Sequence, residues 1–341
     1  MKKLSMLLFA IPLLMSVDLY AACSINSLPQ ATSGYGSNGS FTQNVVSFRN
    51  PLKRTRKTHV FYPSTGVPSP TVFFSHAYGA NDPDVYGGTI EHLNSIGYTV
   101  VFSEYPTFFA TVSERYNILW RGFEEAASRY PQYIDTDKVA FFGHSFGGGA
   151  TPRMALNGIS QGWGDNGIGM YLMAPWYAYD LTNSDLSSFP EETNAIILVT
   201  EDDDTNDHEM AIDIFHNLAL DDENKAYYIL SEDTENGCTL EADHSMPMET
   251  NNGELDGLDF WNWAHMDALL DYTFTGNLTA KNIALGNGSV EQVFWGQWSS
   301  GRDYLPIATP INPLPSNPQS FYMFPCNDSD NPRAFACGTR N

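Results

Sequence analysis

The chain has 341 residues, 42 % of them hydrophobic, which excludes disorder throughout and leaves room for one large α/β domain with a sizeable core. Its formal net charge of −23 argues against nucleic acid and anionic membrane surfaces as partners, and an acidic, salt-tolerant extracellular surface accounts for it. The four cysteines form no CxxC pair and no His–Cys cluster, so no metal site is expected.

The chain opens with MKKLSMLLFAIPLLMSVDLYAAC, which has a basic start at Lys2 and Lys3, an apolar run from Leu4 to Met15, and small residues at Ala21 and Ala22. This pattern predicts a signal peptide over residues 1–22, with an apolar part too short for a membrane span. The mature protein is then secreted or periplasmic, with no stable membrane association. Cys23 would suit a lipoprotein anchor, but Tyr20 stands where that motif wants a small aliphatic residue, so simple export is preferred. An oxidising compartment favours pairing of Cys23, Cys238, Cys326 and Cys337. Cys326 with Cys337 is the simplest of the three connectivities, because only a short loop separates them; Cys23 is then left for Cys238.

After a low-complexity leader at Ala31–Ser40, short apolar runs alternate with longer periodic ones. THVFYP, TVFFSHA, GYTVVFSEYP, KVAFFGHS, GMYLMAP, NAIILVTED and KAYYILSED read as strands, several apolar enough to be covered on both faces. TIEHLNSIG, ERYNILWRGFEEAASRYP, GGATPRMALNG, DHEMAIDIFHNLAL and DFWNWAHMDALLDYTF read as helices. The alternation predicts a mostly parallel central sheet flanked by helices on both faces, entered through an N-terminal hairpin-like pair. No repeat or linker divides it, and the domain is taken as residues 23–284. Residues 285–341 carry Trp295, Trp298, Tyr304, Tyr322 and Phe324 among many Pro, Asn and Ser. They predict an irregular C-terminal extension packing on the core.

Chemistry concentrates at FFGHSFGGGA, where Ser145 sits between Gly143 and Gly147 after a strand and before a helix. This is the context of a nucleophile elbow, in which the glycines relieve crowding around a strained serine and the Phe146 N–H faces a developing oxyanion. A serine hydroxyl needs a base, and the base an orienting carboxylate, in the order Ser, Asp, His. TEDDDTND follows one late strand and EADHSMP another. His244 is the candidate base, since His208, His216 and His265 fall in predicted helices or at their starts. Asp203 or Asp204 supplies the acid. Asp202, Asp204 and Asn206 alternate as in a calcium loop, but Asp207 and Asp213 stand where such a loop needs Gly and Glu. The loop VFFSHAYGANDPD offers the Tyr78 N–H as second oxyanion donor, and His76 is read as a structural hydrogen-bonding residue of that loop.

With HAYGA, YIDTDKVAFFGHSFGGGA, MAPW, TEDDD and DHSMP, the chain from about Phe41 to Phe274 resembles α/β-hydrolases of the dienelactone hydrolase, chlorophyllase and cutinase-like polyester hydrolase group. The resemblance implies the α/β-hydrolase fold, Ser145, Asp203 and His244 as the triad, Tyr78 and Phe146 as oxyanion-hole and substrate-binding positions, and Trp176 flanking the substrate. The implied activity is carboxylic ester hydrolysis of small-molecule or polymeric substrates by a monomer without cofactor. Peptide or amide hydrolysis and a non-catalytic binding protein are the competing readings. The chain departs from the polyester hydrolases in having Phe146 where they usually have Met, in its longer acidic loop from Ser231 to Asp243, and in continuing well past the last expected helix.

Overall fold

The computed structural model describes residues 31–249 and 255–338. The expected signal peptide and Cys23 lie outside these residues. The runs read as strands from apolar character form β2 (Lys57–Pro63), β3 (Ser69–Ser75), β4 (Thr99–Ser103), β5 (Ile134–His144), β6 (Ile168–Met173), β7 (Asn194–Thr200) and β8 (Lys225–Leu230). They are joined by β1 (Gln43–Arg49), the first arm of the N-terminal hairpin. The helices are α1 (Gly87–Ser95), α2 (Val112–Arg129), α3 (Phe146–Ser160), α4 (Asn183–Leu186), α5 (His208–Asn217), α6 (Gly257–Thr275), α7 (Leu278–Leu285) and α8 (Val290–Val293).

The strands form one eight-stranded sheet in the order β1-β2-β4-β3-β5-β6-β7-β8. It is parallel from β4 to β8, while β2 runs antiparallel to both β4 and β1. Alternate side chains of each strand feed two apolar layers, as the pleat requires. Phe74, Phe102, Phe142 and Tyr171 pack with Ile90 and Leu93 of α1 and with Trp263 and Leu269 of α6. On the other face, Phe73, Val101, Phe141 and Met170 pack with Leu119 and Phe123 of α2, Met154 of α3 and Ile214 of α5. Every residue of β4, β6 and β7 is buried, which explains why these strands read as continuous apolar runs. The amphipathic α2 is fixed at its start by a capping box between Thr111 and Glu114.

Besides α4, whose four residues are too few to show a period, three features were not foreseen as elements. The acidic loop after β8 contains a small antiparallel hairpin, β9 (Asp233–Glu235) with β10 (Cys238–Leu240). Strands of this length carry too few side chains to show a period. Helices α7 and α8 are also short, and their Asn277 and Ser289 caps are common in turns.

The extension past α8 has little regular structure, yet Trp295, Trp298, Tyr304 and Ile307 are buried in the same apolar layer as α6. Ile229 and Ala308 exchange backbone hydrogen bonds of 2.9 and 3.1 Å, so the extension covers the free edge of β8. The expected Cys326–Cys337 disulfide is present, with Cα atoms 5.7 Å apart. Inside the loop it closes, the Arg333 guanidinium is buried and clamps Asp213 of α5 through two bonds of 2.5 and 2.7 Å. Among the described residues, no helix is long and apolar enough to cross a membrane.

Candidate active site

Strand β5 ends at His144 and α3 begins at Phe146, so Ser145 carries the whole reversal between them. Its backbone sits at φ 54° and ψ −119°, a region that L-residues enter only under constraint. The constraint is crowding. A Cβ on Gly147 would lie 1.9 Å from the Ser75 carbonyl oxygen, and one on Gly143 would lie 2.4 Å from that of Gly147. Only glycine lets α3 approach β3 this closely. The Ser145 N–H donates to Met173 at 2.9 Å, and its carbonyl accepts from Trp176 N–H at 2.8 Å, which locks the turn against β6 and the loop after it.

Ser145, His244 and Asp203, far apart in sequence, meet in one hydrogen-bonded chain. The Ser145 Oγ lies 2.9 Å from His244 Nε2, and His244 Nδ1 lies 2.8 Å from Asp203 Oδ2. A carboxylate at Nδ1 holds the proton there and leaves Nε2 to accept from the serine. Asp203 is fully buried, whereas Asp204 is exposed. Burial raises the Asp203 carboxyl, but the hydrogen bond and charge of His244, with the N–H groups of Asn206 and Thr205, outweigh it and hold the pKa below its usual value. Those N–H groups donate to Oδ1 at 3.0 and 2.8 Å, so both carboxylate oxygens are occupied.

A scan against protein-family models finds no match, and a search of the curated proteins finds no relative. The geometry therefore carries the functional argument.

The donors expected around Ser145 come from two elements. Phe146 is the first residue of α3, where backbone N–H groups have no intrahelical acceptor and the helix dipole favours negative charge. Tyr78 lies in the loop after β3, half exposed, with its hydroxyl donating to the Thr107 carbonyl. His76 behaves as expected for that loop: its Nδ1 bonds the Ala77 carbonyl at 2.7 Å, its ring stacks on Tyr105, and burial pulls its pKa down to about 4.

The aromatic side chains differ in accessibility. Phe146 is only 4 % exposed and packs among Tyr105, Tyr116 and Trp176 at centroid distances of 5.1, 5.6 and 5.5 Å. Its ring is thus a floor, and Tyr78 and partly buried Trp176 are the side chains left open beside it.

Sequence reasoning missed three contributors. His144 accepts from Tyr86 Oη at 3.0 Å and donates through Nε2 to the His244 carbonyl at 2.8 Å. Burial, reinforced by the nearby His244 charge, lowers its pKa to about 3, so it stays neutral. Asn206 places its Nδ2 3.4 Å from Ser145 Oγ and 2.9 Å from the Ala174 carbonyl. Its signal was hidden, because an asparagine in an acidic loop reads as turn chemistry. The third contributor, the extension, touches the Asp203 loop through main-chain bonds that no side-chain pattern could announce. Among the described residues, one compact group of potential metal ligands appears, Glu209 with Cys326 and Cys337, and the disulfide takes both of its sulfurs.

Proposed function

We propose that this protein is an exported serine hydrolase of the α/β-hydrolase fold that cleaves carboxylic esters. The observation carrying this reading is the continuous chain from Ser145 Oγ through His244 to buried Asp203, beginning at a serine held at φ 54°. A strained serine at the carboxyl end of a parallel strand, with a helix N-terminus behind it, suits nucleophilic attack on a carbonyl. The mostly parallel sheet flanked by helices supports the same reading, and the Cys326–Cys337 disulfide fits an oxidising compartment.

In this mechanism His244 Nε2 takes the Ser145 proton as Oγ attacks the ester carbonyl. The resulting oxyanion is held by the N–H groups of Tyr78 and Phe146. His244 returns the proton to the departing alkoxide, which leaves as the alcohol, and the acyl group stays on Ser145. A water molecule, deprotonated by the same histidine, attacks the acyl carbonyl and releases the carboxylic acid. Asp203 stays ionised and stabilises the imidazolium formed in each half-reaction. The aromatic floor and walls suit apolar acyl or aryl esters, polyesters included.

Turnover of p-nitrophenyl esters by the wild type, Ser145→Ala and His244→Ala tests the reading. Each substitution should lower kcat by about 10⁴-fold or more. Equal rates for all three proteins would overturn it.

A further inference from the structure

The C-terminal extension reaches the Ser145 site at one place. The Met323 N–H donates to the Asp204 carbonyl at 2.7 Å and the Phe324 N–H to that of Thr205 at 2.8 Å. In return, the Asp207 N–H donates to the Phe324 carbonyl at 3.1 Å, and the Asp207 carboxylate accepts from the Cys326 N–H at 3.0 Å. Together these bonds lay residues 323–326 along the loop that carries Asp203, with Phe324 bridged in parallel to Asn206. Asn206 is the residue whose amide approaches Ser145 Oγ. Phe324 therefore lies one strand spacing, about 5 Å, from a direct neighbour of the serine.

The orientation of its side chain follows from the pattern of burial. Along an extended segment, residues two apart share a side. Tyr322 and Cys326 are 6 % and 1 % exposed, yet Phe324 between them is 39 % exposed. The inward side of the segment thus opens at Phe324. What it meets there is Trp176, edge to face, with centroids 6.3 Å apart. Trp176 in turn stacks on Phe146, whose ring lies 6.3 Å from that of Tyr78. An aromatic row, Tyr78, Phe146, Trp176 and Phe324, runs past the serine, and its last member comes from outside the α/β body.

We propose that Phe324 is a specificity-determining residue, forming the wall of the acyl-binding site beyond Trp176, so that the extension selects for flat or extended apolar acyl groups. This rests on the ester-hydrolase reading of the Ser145 site. The wall is preorganised: the disulfide closes its loop, the Tyr177 hydroxyl donates to the Pro325 carbonyl at 3.3 Å, and Tyr177, Met210 and Cys326 form a buried cluster behind it. A ring so held gives an aryl or long acyl group an apolar face, while an acetyl group is too short to reach it.

The test compares kcat/KM for p-nitrophenyl acetate, hexanoate and benzoate in the wild type, Phe324→Ala and Phe324→Tyr. The alanine variant should lower the benzoate-to-acetate and hexanoate-to-acetate ratios by about 5- to 10-fold, and the tyrosine variant should keep both within about twofold of wild type. A change of equal size for all three esters, or no change, overturns the wall. A second arm needs no turnover: benzamide and hexanamide are titrated by NMR into Ser145→Ala protein with and without Phe324→Ala. Weakening by about threefold or more supports the wall, and equal affinities overturn it. If the wild type hydrolyses none of the esters, the ester-hydrolase reading fails by itself, and the amide titration still decides the role of Phe324.

Discussion

The turn at Ser145 and the two loops that complete its hydrogen-bonded chain are held by different means. The buried end of β5 at Val139–His144, glycines that admit close backbone approach, and bonds from Ser145 to β6 and the following loop fix the turn within the sheet itself. The Asp203 loop depends instead on the extension, which supplies main-chain partners to Asp204, Thr205 and Asp207. The hairpin leading toward His244 is held similarly. Buried Asp233 of β9 accepts from Trp298 Nε1 at 3.0 Å, from the Leu305 N–H at 3.1 Å and from the Arg302 guanidinium. Burial raises the Asp233 carboxyl, and these partners, Arg302 foremost, bring its pKa below the usual value. Ser145 is thus placed by packing within the sheet, and the loops of Asp203 and His244 are supported by a segment 65 to 119 residues farther along the chain.

The contrast can be broken or sharpened by experiment. The largest effect is expected at the acid itself. Asp203→Asn keeps the shape of the buried side chain but removes the charge that fixes the His244 tautomer, and should lower ester turnover by about 10³- to 10⁴-fold. Asp204→Asn, on the exposed neighbour, should change it by less than about twofold. Parity between the two variants would show that the acid has been misplaced.

Next in size is Arg333→Ala, which strands the Asp213 carboxylate in the interior and should cost about 3 kcal/mol in urea unfolding. If the extension clamps the Asp203 loop, amide exchange should quicken at residues 204–207 while residues 139–149 stay protected. Equal acceleration in both regions would erase the distinction drawn above.

A further effect concerns pH. His76 and His144 are buried and neutral, with pKa values lowered from 6.5 to about 4 and about 3. Each binds a proton in the unfolded chain before it does so in the folded one. Their contribution is complete above pH 6.5 and is lost as pH falls toward those lower values, by about 1.4 kcal/mol per pH unit for each histidine. The depressed Asp203 carboxyl adds a further loss in the most acidic range. Denaturation midpoints measured from pH 7 to pH 4 should fall on acidification, and more gently in His144→Gln. An identical slope in wild type and variant would mean that His144 is protonated without penalty.

Much of this was legible in the amino-acid order. Apolar runs located β4, β6 and β7 because strands covered on both faces must be apolar throughout. The Gly143–Ser145–Gly147 spacing marked the turn because its steric demands are local. The order of Ser145, an acidic cluster and His244 narrowed the partners to a few residues. Asp203 and Asp204 are chemically alike, however, and only the fold buries one and exposes the other. The same holds for Phe146, a substrate contact by the resemblance, whose ring is covered by Tyr105 and Tyr116 from other elements. His144 bonding the His244 carbonyl, Asn206 approaching Ser145 Oγ, and Phe324 lying beside Trp176 were likewise decided by tertiary structure alone. Strand period, turn sterics and cysteine spacing are properties of neighbouring residues and can be read along the chain. Burial, main-chain pairing and ring contacts between distant segments exist only once the chain has folded.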